Sequence, residues 1–274
     1  MSSEYESLTA LLRRLDSALV AFSGGVDSSL LLAAAHDALG DRVLAVTATS
    51  PIQASHELNV ARTVAETLGV RWLKISTDEL ALPAFRLNPP DRCYQCKKMR
   101  FTALLEIARR EEMGAVIEGS NVDDLGDYRP GYAAARELGI RSPFIELGFG
   151  KETIRRLARA RGLPNWDQPA AACLASRVPY GEEITPERLA RIDRAEQALR
   201  GMGFRHVRVR DHGAVARIEV PREQFARILA PEAADTVVQA CRAAGYSFVS
   251  IDLQGYRMGS LNETLNQDYS ATDS

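Results

Sequence analysis

Residues 18–29 read Ala-Leu-Val-Ala-Phe-Ser-Gly-Gly-Val-Asp-Ser-Ser, an apolar run followed by two glycines, an aspartate and two serines. The apolar run predicts a buried strand, and residues 27–39, rich in Leu and Ala, predict the helix after it. Two glycines permit a tight turn whose N–H groups face an anion, and the helix start adds partial positive charge. The stretch predicts a pyrophosphate-binding loop, with an ordinary serine-capped turn as the alternative. It lacks the Gly-Lys-Ser/Thr ending of a Walker A loop and the Rossmann Gly-x-Gly-x-x-Gly.

Around this loop, short apolar runs alternate with longer amphipathic stretches over the first 165 residues. Further strands are expected at residues 42–47, 71–75 and 115–118, and further helices at 55–68, with Ser55 as N-cap, and at 92–112. Residues 80–91 hold three prolines and predict a loop or extended connector. Strands alternating with helices at this spacing indicate an α/β fold with a doubly wound, mostly parallel sheet.

The pattern changes beyond residue 162 and predicts a second, smaller α+β domain. After a Pro- and Ala-rich stretch, Thr185 is expected to cap a helix that runs to about residue 200 with Pro186 at its first position. The remaining expected elements are a hairpin of residues 205–210 and 214–220 turning at 211–213, helices within 223–244, and a strand at 247–253. We therefore expect two domains, a larger one at 1–165 that carries the phosphate-binding loop and a smaller one at 166–274.

The composition excludes several classes of protein. The chain has 274 residues, 34 basic and 36 acidic, a net charge of -2 and 46% hydrophobic residues. This is the composition of a folded globular protein, and it argues against a protein that holds nucleic acid by bulk charge. No apolar run is long enough to span a membrane, and the polar start is unlike a signal peptide. Four cysteines are too few for a disulfide framework, so we expect a cytoplasmic protein with reduced thiols.

The cysteines fall into three settings. Cys93 and Cys96 form a C-x-x-C that opens a predicted helix, a position that favours thiolates as ligands or nucleophiles. Zinc binding, a redox pair and unrelated thiols are all open interpretations of this pair. Cys241 lies in an Ala-rich helical stretch and is expected to be a buried structural thiol. Cys173 lies in an irregular loop and is followed by Leu-Ala-Ser-Arg-Val-Pro-Tyr-Gly. The Arg, Pro and Gly in this stretch are not typical neighbours of a buried core cysteine.

Charged residues supply further candidates. Arg208 and Arg210 are two apart on a predicted strand and so share a face, where they fit either a bound phosphate or a solvated surface. Asp123, Asp124 and Asp127 fit either Mg²⁺ binding or helix capping. Arg129 lies in a predicted turn from which it can reach a phosphate. The remaining assignments are structural: His206 and His212 as hairpin residues, Trp72 and Trp166 as packing residues.

Residues 23–29 resemble the phosphate-binding motif of the PP-loop ATP pyrophosphatases, which cleave ATP between its α and β phosphates. The resemblance implies a site for ATP and Mg²⁺. It assigns the phosphates to the loop and the adenosine to the ends of three strands. The residues so assigned are Ser23, Gly24, Gly25, Asp27 and Ser28 for the phosphates, and Ala21, Thr47 and Gly119 for the adenosine.

Residues 172–181, Ala-Cys-Leu-Ala-Ser-Arg-Val-Pro-Tyr-Gly, resemble the central motif of the LarE family of PP-loop sulfur transferases, and residues 118–131, 208–219 and 255–263 agree with it. The resemblance implies ATP-dependent adenylation of a carboxylate of a pyridinium dicarboxylate mononucleotide. A thiocarboxylate is then formed for the nickel-pincer cofactor of lactate racemase. It makes Cys173 the catalytic thiol. Arg177 is close to Cys173 in the sequence, and its positive charge would favour the thiolate and stabilise a developing oxyanion. Arg208 and Arg210 would bind the substrate's phosphate, and the chain would form a homo-oligomer.

The C-x-x-C resembles a branch of the family in which three cysteines bind a [4Fe–4S] cluster, here Cys93, Cys96 and Cys173. The resemblance then implies catalytic delivery of a cluster-bound sulfide, whereas single-cysteine members give up the sulfur of the residue equivalent to Cys173. Three rivals stay open: an amide ligase of the NAD or GMP synthetase kind, a tRNA-thiolating enzyme, and a sensor with an inactive loop. A tRNA-thiolating enzyme would need a basic face, for which the net charge offers no support.

Overall fold

The computed structural model of this chain describes residues 2–125, 130–169 and 172–257. In chain order its helices and strands are α1 (Ser3–Leu12), β1 (Ala18–Ala21), α2 (Val26–Leu39), β2 (Val43–Thr49), α3 (Ser55–Leu68), β3 (Arg71–Ser76), α4 (Pro83–Arg86), α5 (Arg92–Arg110), β4 (Ala115–Ile117), α6 (Pro130–Glu137), α7 (Pro143–Glu146), α8 (Lys151–Ala160), α9 (Pro186–Gly201), β5 (Arg208–His212), β6 (Val215–Glu219), α10 (Phe225–Ile228), α11 (Pro231–Ala244) and β7 (Phe248–Ile251).

The chain forms two compact units. One comprises Met1–Glu79 with Asp91–Ala171, and the other comprises Leu80–Pro90 with Ala172–Ser274. Residues 80–90 therefore belong with the carboxyl-terminal part of the chain although they are preceded and followed by residues of the first unit. The boundary expected between residues 165 and 166 stays a prediction.

A parallel sheet in the order β3-β2-β1-β4 organises the first unit. Its central strands β1 and β2 are built from small and branched apolar residues that are almost entirely buried, as expected for a sheet covered on both faces. The chain winds outward from β1 through β2 to β3 and then returns to place β4 on the other side of β1. The doubly wound α/β fold is thus confirmed. The crevice between the carboxyl ends of β1 and β4 is the point where such sheets bind ligands.

Two local expectations are wrong, one in each unit. Ser55 was expected to cap α3, but it is the first helical residue, and Ala54 stands at the N-cap without a side-chain hydrogen bond. Residues 80–91 were expected to lack regular structure, but they contain a 3₁₀ turn at Glu79–Ala81 and the short helix α4, whose first residue is a proline. Proline suits a first helical turn because its missing N–H has no partner there in any case.

The second unit is built on a mixed sheet in the order β5-β6-β7, antiparallel between β5 and β6 and parallel between β6 and β7. Thr185 caps α9 as predicted, since its side chain accepts from the Arg188 amide at 3.3 Å. β5 continues through Asp211 and His212, so the hairpin turn falls at residues 213–214 and not at the expected 211–213. Cys241 is fully buried in this core, as expected, and burial raises the pKa of its thiol to about 11.

Residues 80–90 are attached to this second unit by main-chain and side-chain hydrogen bonds. The Asn88 amide donates to the carbonyls of Val178 at 3.2 Å and Pro179 at 2.6 Å. The amide of Ile184 donates to the Arg86 carbonyl at 2.8 Å. Of the helices in the described part of the chain, none is both long enough and apolar enough to cross a membrane.

Candidate active site

The loop between β1 and α2 is held by its own serine side chains. The Ser23 hydroxyl accepts from the Gly25 amide at 3.3 Å and lies 3.1 Å from the Ser28 hydroxyl, which donates to the Gly25 carbonyl. Gly24 has a φ of +81°, and a Cβ there would lie 2.8 Å from the main-chain nitrogen of Ala61. Only glycine fits this position, and the result is a concave turn at the amino end of a helix, the geometry that favours an anion.

Asp27, in the first turn of α2, is the charged residue of this loop. Burial, with a further contribution from the neighbouring Asp124 carboxylate, raises its pKa from 3.8 to about 6. Lys151, Arg155 and a 3.2 Å hydrogen bond from the Asn121 amide oppose this shift without cancelling it. Two carboxylates that repel one another beside an anion-binding loop are a suitable pair for Mg²⁺, whose charge relieves the repulsion.

Asp123 and Asp124 both act as caps, so the capping alternative holds for each of them. Asp124 forms a capping box with Asn121 over the 3₁₀ turn at Val122–Asp124, and it forms an ion pair with Lys151 at 3.4 Å. The Asp123 carboxylate accepts from the Lys151 amide at 2.6 Å, at the start of α8. Asp124 is nevertheless the acid whose charge acts on Asp27, so capping does not remove it from the loop.

The three strand-end residues expected to line the adenosine occupy different environments. Ala21 is half-buried at the end of β1. Gly119, two residues after β4, lies so close to the start of α2 that a Cβ on it would be 3.1 Å from the main-chain nitrogen of Ser28. Thr47 is buried, donates to the Phe22 carbonyl at 2.7 Å and accepts from the Trp72 indole at 2.8 Å. The Thr47 hydroxyl is thus used to fix the strand ends, and Trp72, expected to be a packing residue, also positions it.

Lys97 was missed by the sequence analysis, although it directly follows the C-x-x-C and so carried a signal. From α5 its ammonium reaches the residues just after β4, 3.4 Å from both Glu118 and the Ser120 hydroxyl. Glu118 is buried and also accepts from Ser120 at 2.7 Å and Ser142 at 2.6 Å. The partly exposed Lys97 side chain therefore places its ammonium at the carboxyl edge of the sheet.

In the second unit, Cys173 precedes a 3₁₀ turn at Leu174–Arg177 and is partly exposed. The carbonyl of Cys173 accepts from the Ser176 hydroxyl at 2.7 Å and from the Arg177 guanidinium at 3.1 Å. Arg210 of β5 donates to the Ser176 carbonyl at 2.6 Å. The turn that presents the thiol is thus fastened by two arginines.

Arg177 is only 4% exposed, and its hydrogen bond to Cys173 goes to the main-chain carbonyl, while the charge of the Cys173 side chain is a lesser contribution to the raised pKa of Arg177. It is paired with the buried Glu196 at 2.8 Å, and it also donates to the Ala172 carbonyl at 2.7 Å. Burial disfavours its charge, but the Glu196 carboxylate outweighs this and raises its pKa. Arg177 is therefore a permanent cation that orients the main chain of Cys173, and its predicted action on the thiolate and on an oxyanion stays a prediction.

Arg208 and Arg210, expected to act as a pair, differ in their partners. Arg210 forms a bidentate ion pair with the buried Glu219, with bonds of 2.9 and 2.8 Å. Arg208 donates to the Arg257 carbonyl at 3.1 Å and stacks 4.7 Å from the Tyr256 ring, with no carboxylate at ion-pair distance in the described ranges. Burial lowers the pKa of Arg208, and the Arg177 and Arg210 charges add to this. Both arginines are buried, but only Arg208 lacks a carboxylate at ion-pair distance among the described residues, so a bound anion would stabilise its charge.

Cys93 and Cys96 lie in the first unit, among the first five residues of α5, so the pair opens a helix as predicted. Their i, i+3 spacing puts both on one side of the helix. Cys93 is exposed, whereas the Cys96 thiol donates to the buried Glu79 carboxylate at 3.8 Å, which Arg100 also contacts at 2.6 Å. Cys173 belongs to the other unit.

The remaining candidate residues are placed as follows. Across residues 2–125, 130–169 and 172–257, no group of three or more His, Cys, Asp or Glu side chains is placed to hold a metal ion. His206 packs edge-on against Tyr256, with ring centroids 6.0 Å apart. Asp127 and Arg129 lie outside the described residues.

One residue of the site gave no usable signal in the sequence. Asn165, in the turn after α8, donates its amide to the Gly24 carbonyl at 2.7 Å and to the Ser29 hydroxyl at 2.9 Å. It reaches the phosphate-binding loop from 141 residues further along the chain. The Pro- and Ala-rich stretch that contains it had indicated only a linker or an active-site loop.

Comparison with known proteins gives near full-length matches. The chain is 38% identical over 273 residues to the pyridinium-3,5-bisthiocarboxylic acid mononucleotide synthase of Lactiplantibacillus plantarum, covering 99% of this chain and 98% of that protein. It is 43% identical over 267 residues to an uncharacterized protein of Synechocystis, covering 97% of this chain and all of that one. Both matches include both structural units.

Two further matches are partial. A family model described as queuosine biosynthesis protein QueC matches residues 17–84, the part of the chain that contains the phosphate-binding loop. A glutamine-hydrolyzing GMP synthase subunit of Methanocaldococcus jannaschii is 28% identical over 185 residues, covering 63% of this chain and 59% of that protein.

Proposed function

This chain belongs to the LarE family of PP-loop enzymes, and on that premise we propose that it is an ATP-dependent sulfur transferase. Its substrate would be a pyridinium dicarboxylate mononucleotide, a carboxylate of which becomes a thiocarboxylate during synthesis of the nickel-pincer cofactor of lactate racemase. The observation that carries the proposal is the 38% identity that spans 99% of the chain, and so includes the phosphate-binding loop and the Cys173 turn alike.

The loop after β1 would hold the phosphates of ATP. Gly24 and Gly25 supply the turn, Ser23 and Ser28 supply hydroxyl donors, and the start of α2 supplies positive charge. Asp27 and Asp124 would hold Mg²⁺, which would neutralise phosphate charge and stabilise pyrophosphate as the leaving group. AMP transfer to the carboxylate converts a poor leaving group into a good one.

Arg208 would bind the phosphate of the mononucleotide. It is 5% exposed, and no carboxylate among the described residues pairs with it, so a phosphate dianion would supply the missing counter-charge. Arg210 would act differently from the expected pair, because its guanidinium already holds Glu219 and the Ser176 carbonyl. It would keep the Cys173 turn in place for the bound substrate.

Cys173 would attack the adenylated carboxylate. Its sulfur forms a thioester as the AMP leaves, and the bond between the sulfur and the cysteine Cβ then breaks with loss of the α-proton. The product carries the thiocarboxylate and the protein retains dehydroalanine at position 173. Arg177 and Arg210 hold the main chain on both sides of the thiol, so the sulfur stays in one place while the bonds exchange.

The sulfur has a second possible source, which the C-x-x-C favours. A [4Fe–4S] cluster bound by Cys93, Cys96 and Cys173 would supply an exchangeable sulfide and spare the polypeptide. The i, i+3 pair on α5 offers two thiols on one helix face, a fitting half-site, and Glu79 and Arg100 already fix the position of Cys96. We propose Cys173 as the donor and the cluster as the outcome to test against it.

The rival enzyme classes have weaker support. The likeness to the GMP synthase protein covers 63% of this chain, and an amide ligase needs no cysteine in its acceptor loop. A tRNA-thiolating enzyme needs a basic surface, and the net charge is -2. We also propose that the enzyme works in the cytoplasm, where its thiols stay reduced, and as a homo-oligomer.

The test is a single-turnover assay on protein purified without oxygen, supplied with Mg-ATP and pyridinium-3,5-dicarboxylate mononucleotide. Pyrophosphate, AMP and thiocarboxylate product are measured, together with the mass of the protein and its iron and sulfide content. We expect all three products and a protein mass lower by one H₂S. Cys173→Ala should keep pyrophosphate release and lose the thiocarboxylate, whereas Cys241→Ala, a buried cysteine far along the chain, should keep both.

Three results would change the proposal. No pyrophosphate release from the mononucleotide mixture would remove the adenylation step. Repeated turnover without mass loss, with about four irons per chain that Cys96→Ala removes, would replace Cys173 by the cluster as the source of sulfur. An amide product formed with ammonia would move the protein to the ligase class.

A further inference from the structure

Asn165 is the residue through which the chain after α8 contacts the phosphate-binding loop. It is 6% exposed, and its side-chain amide donates two bonds, to the Gly24 carbonyl at 2.7 Å and to the Ser29 hydroxyl at 2.9 Å. Gly24 is the residue with a φ of +81°, whose shape no other amino acid matches. Asn165 therefore holds the one peptide of the loop on which the position of the Gly25 N–H depends.

The orientation of this amide follows from its partners. A carbonyl accepts and cannot donate, so the nitrogen of the Asn165 side chain must face Gly24. The side-chain oxygen is then buried, and it accepts no hydrogen bond from any described residue. Burying an unpaired amide oxygen is destabilising, so a residue chosen for packing alone would be apolar here. The two donor bonds are the evident reason for an asparagine.

A second link joins the same segment to the loop. Arg155 of α8 donates to the Gln168 carbonyl at 2.8 Å and to the Trp166 carbonyl at 3.4 Å. The positive charge of Arg155 also acts on Asp27, where it lowers the carboxyl pKa against the larger effect of burial. The segment is closed on itself as well, since the Gln168 amide donates to the Asn165 carbonyl at 3.0 Å.

We propose that Asn165 is a positioning residue of the phosphate-binding loop, and that with Arg155 it couples occupancy of that loop to residues 163–169. Binding of the ATP phosphates would thereby order residues 163–169. The inference rests on the proposed function, because it takes the loop to be a site for pyrophosphate and Mg²⁺.

The test uses the full chain with Mg²⁺ and inorganic pyrophosphate as the probe. Amide hydrogen exchange is measured by mass spectrometry with and without the probe, for peptides that cover residues 23–29 and 163–169. In the wild type we expect slower exchange in both segments, including the Trp166 and Gln168 amides. Affinity is measured by titration calorimetry, and we expect Asn165→Ala to bind at least tenfold more weakly.

Matched variants separate positioning from folding. Asn165→Asp keeps the shape but turns an acceptor toward the Gly24 carbonyl, so it should bind more weakly than Asn165→Ala. At saturating pyrophosphate, both variants should still protect residues 23–29 but no longer protect 163–169. Asn88→Ala removes a fully buried asparagine with two similar bonds in the other unit, and it should keep wild-type affinity and the wild-type exchange pattern.

Each outcome decides something. If the wild type does not bind Mg²⁺-pyrophosphate, the proposed function itself fails. If the wild type binds and exchange slows at residues 23–29 but not at 163–169, only the coupling is overturned. This result comes from the wild type alone and does not depend on the folding of any variant. Equal affinities for Asn165→Ala, Asn165→Asp and the wild type would overturn the positioning role.

Discussion

Asp27 lowers the stability of the empty protein at neutral pH, and Asp27→Asn should relieve that cost. Its pKa is raised from 3.8 to about 6, mainly by burial and then by Asp124. Between these two values the folded protein binds more protons than the unfolded chain, so stability falls as pH rises through this window. Above about pH 6 the whole cost is present, about 3 kcal/mol at roughly 1.4 kcal/mol per pKa unit.

We therefore expect Asp27→Asn to be more stable than the wild type by up to about 3 kcal/mol at pH 7.5 and by about a fifth of that at pH 4. Asparagine keeps the shape of the side chain and still accepts from Asn121. The variant should also lose most of its affinity for Mg²⁺-pyrophosphate, because the carboxylate that binds the ion is gone. Stability and binding would thus change in opposite directions.

The assay is urea unfolding followed by tryptophan fluorescence, because the chain has two tryptophans, Trp72 and Trp166, and both lie in the first unit. Asp37→Asn, at the other end of α2, is the matched control. Hydrogen bonds from Arg161 and Tyr5 outweigh partial burial and hold the pKa of Asp37 below its usual range. It contributes stability that is present at neutral pH, so this variant should lose stability at pH 7.5.

Two results would refute the reasoning. If Asp27→Asn is no more stable than the wild type at pH 7.5, burial does not penalise the carboxylate. If the gain is the same at pH 4 and pH 7.5, it does not arise from ionisation. A gain for Asp37→Asn equal to that for Asp27→Asn would point to a general effect of removing negative charge.

The remaining predictions concern the loop glycine and the two arginines. Gly24→Ala should weaken Mg²⁺-pyrophosphate binding at least tenfold in calorimetry, because its Cβ would lie 2.8 Å from a neighbouring main-chain nitrogen, and unchanged affinity would contradict the loop geometry. Arg210→Met should lose up to about 3–5 kcal/mol in urea unfolding, because the bidentate ion pair with the buried Glu219 is removed and the Arg217 guanidinium, at 3.5 Å, offsets that loss only in part. Arg208→Met should keep wild-type stability and bind the mononucleotide at least tenfold more weakly; similar behaviour of the two arginine variants would refute the distinction between them.

The phosphate-binding loop could be predicted because its information is local. A buried strand, two glycines and a helix start follow one another within a dozen residues, and each constrains the next. The error at the hairpin turn arose where distant residues decided the outcome. Asp211 was assigned to a turn on its composition, but the carboxylate is buried and bonded to Arg188, Arg191 and Tyr246, which extends β5 past it.

The same reason explains what the sequence left open at the site. Arg208 and Arg210 are the same residue type and lie two residues apart on the same strand, so the sequence cannot distinguish them. Glu219 of β6 lies opposite Arg208 in the strand register, yet its carboxylate forms the ion pair with Arg210, diagonally across the strands, and no carboxylate among the described residues lies at ion-pair distance from Arg208. Asn165 was invisible because its two acceptors lie at the opposite end of the first unit's sequence. Motifs of this kind become visible only when the folded backbone brings their members together.

The placement of residues 80–90 has a consequence for synthesis of the chain. Asn88 leaves the ribosome 90 residues before Val178, whose carbonyl it will contact. At about 5–20 residues per second, the segment waits roughly 5–18 s without its partners, while the parallel sheet of the first unit can already close. A fragment that begins at Ala172 never receives the segment at all. The two parts of the second unit are thus synthesised at different times, and the unit can finish folding only when nearly the whole chain has been made.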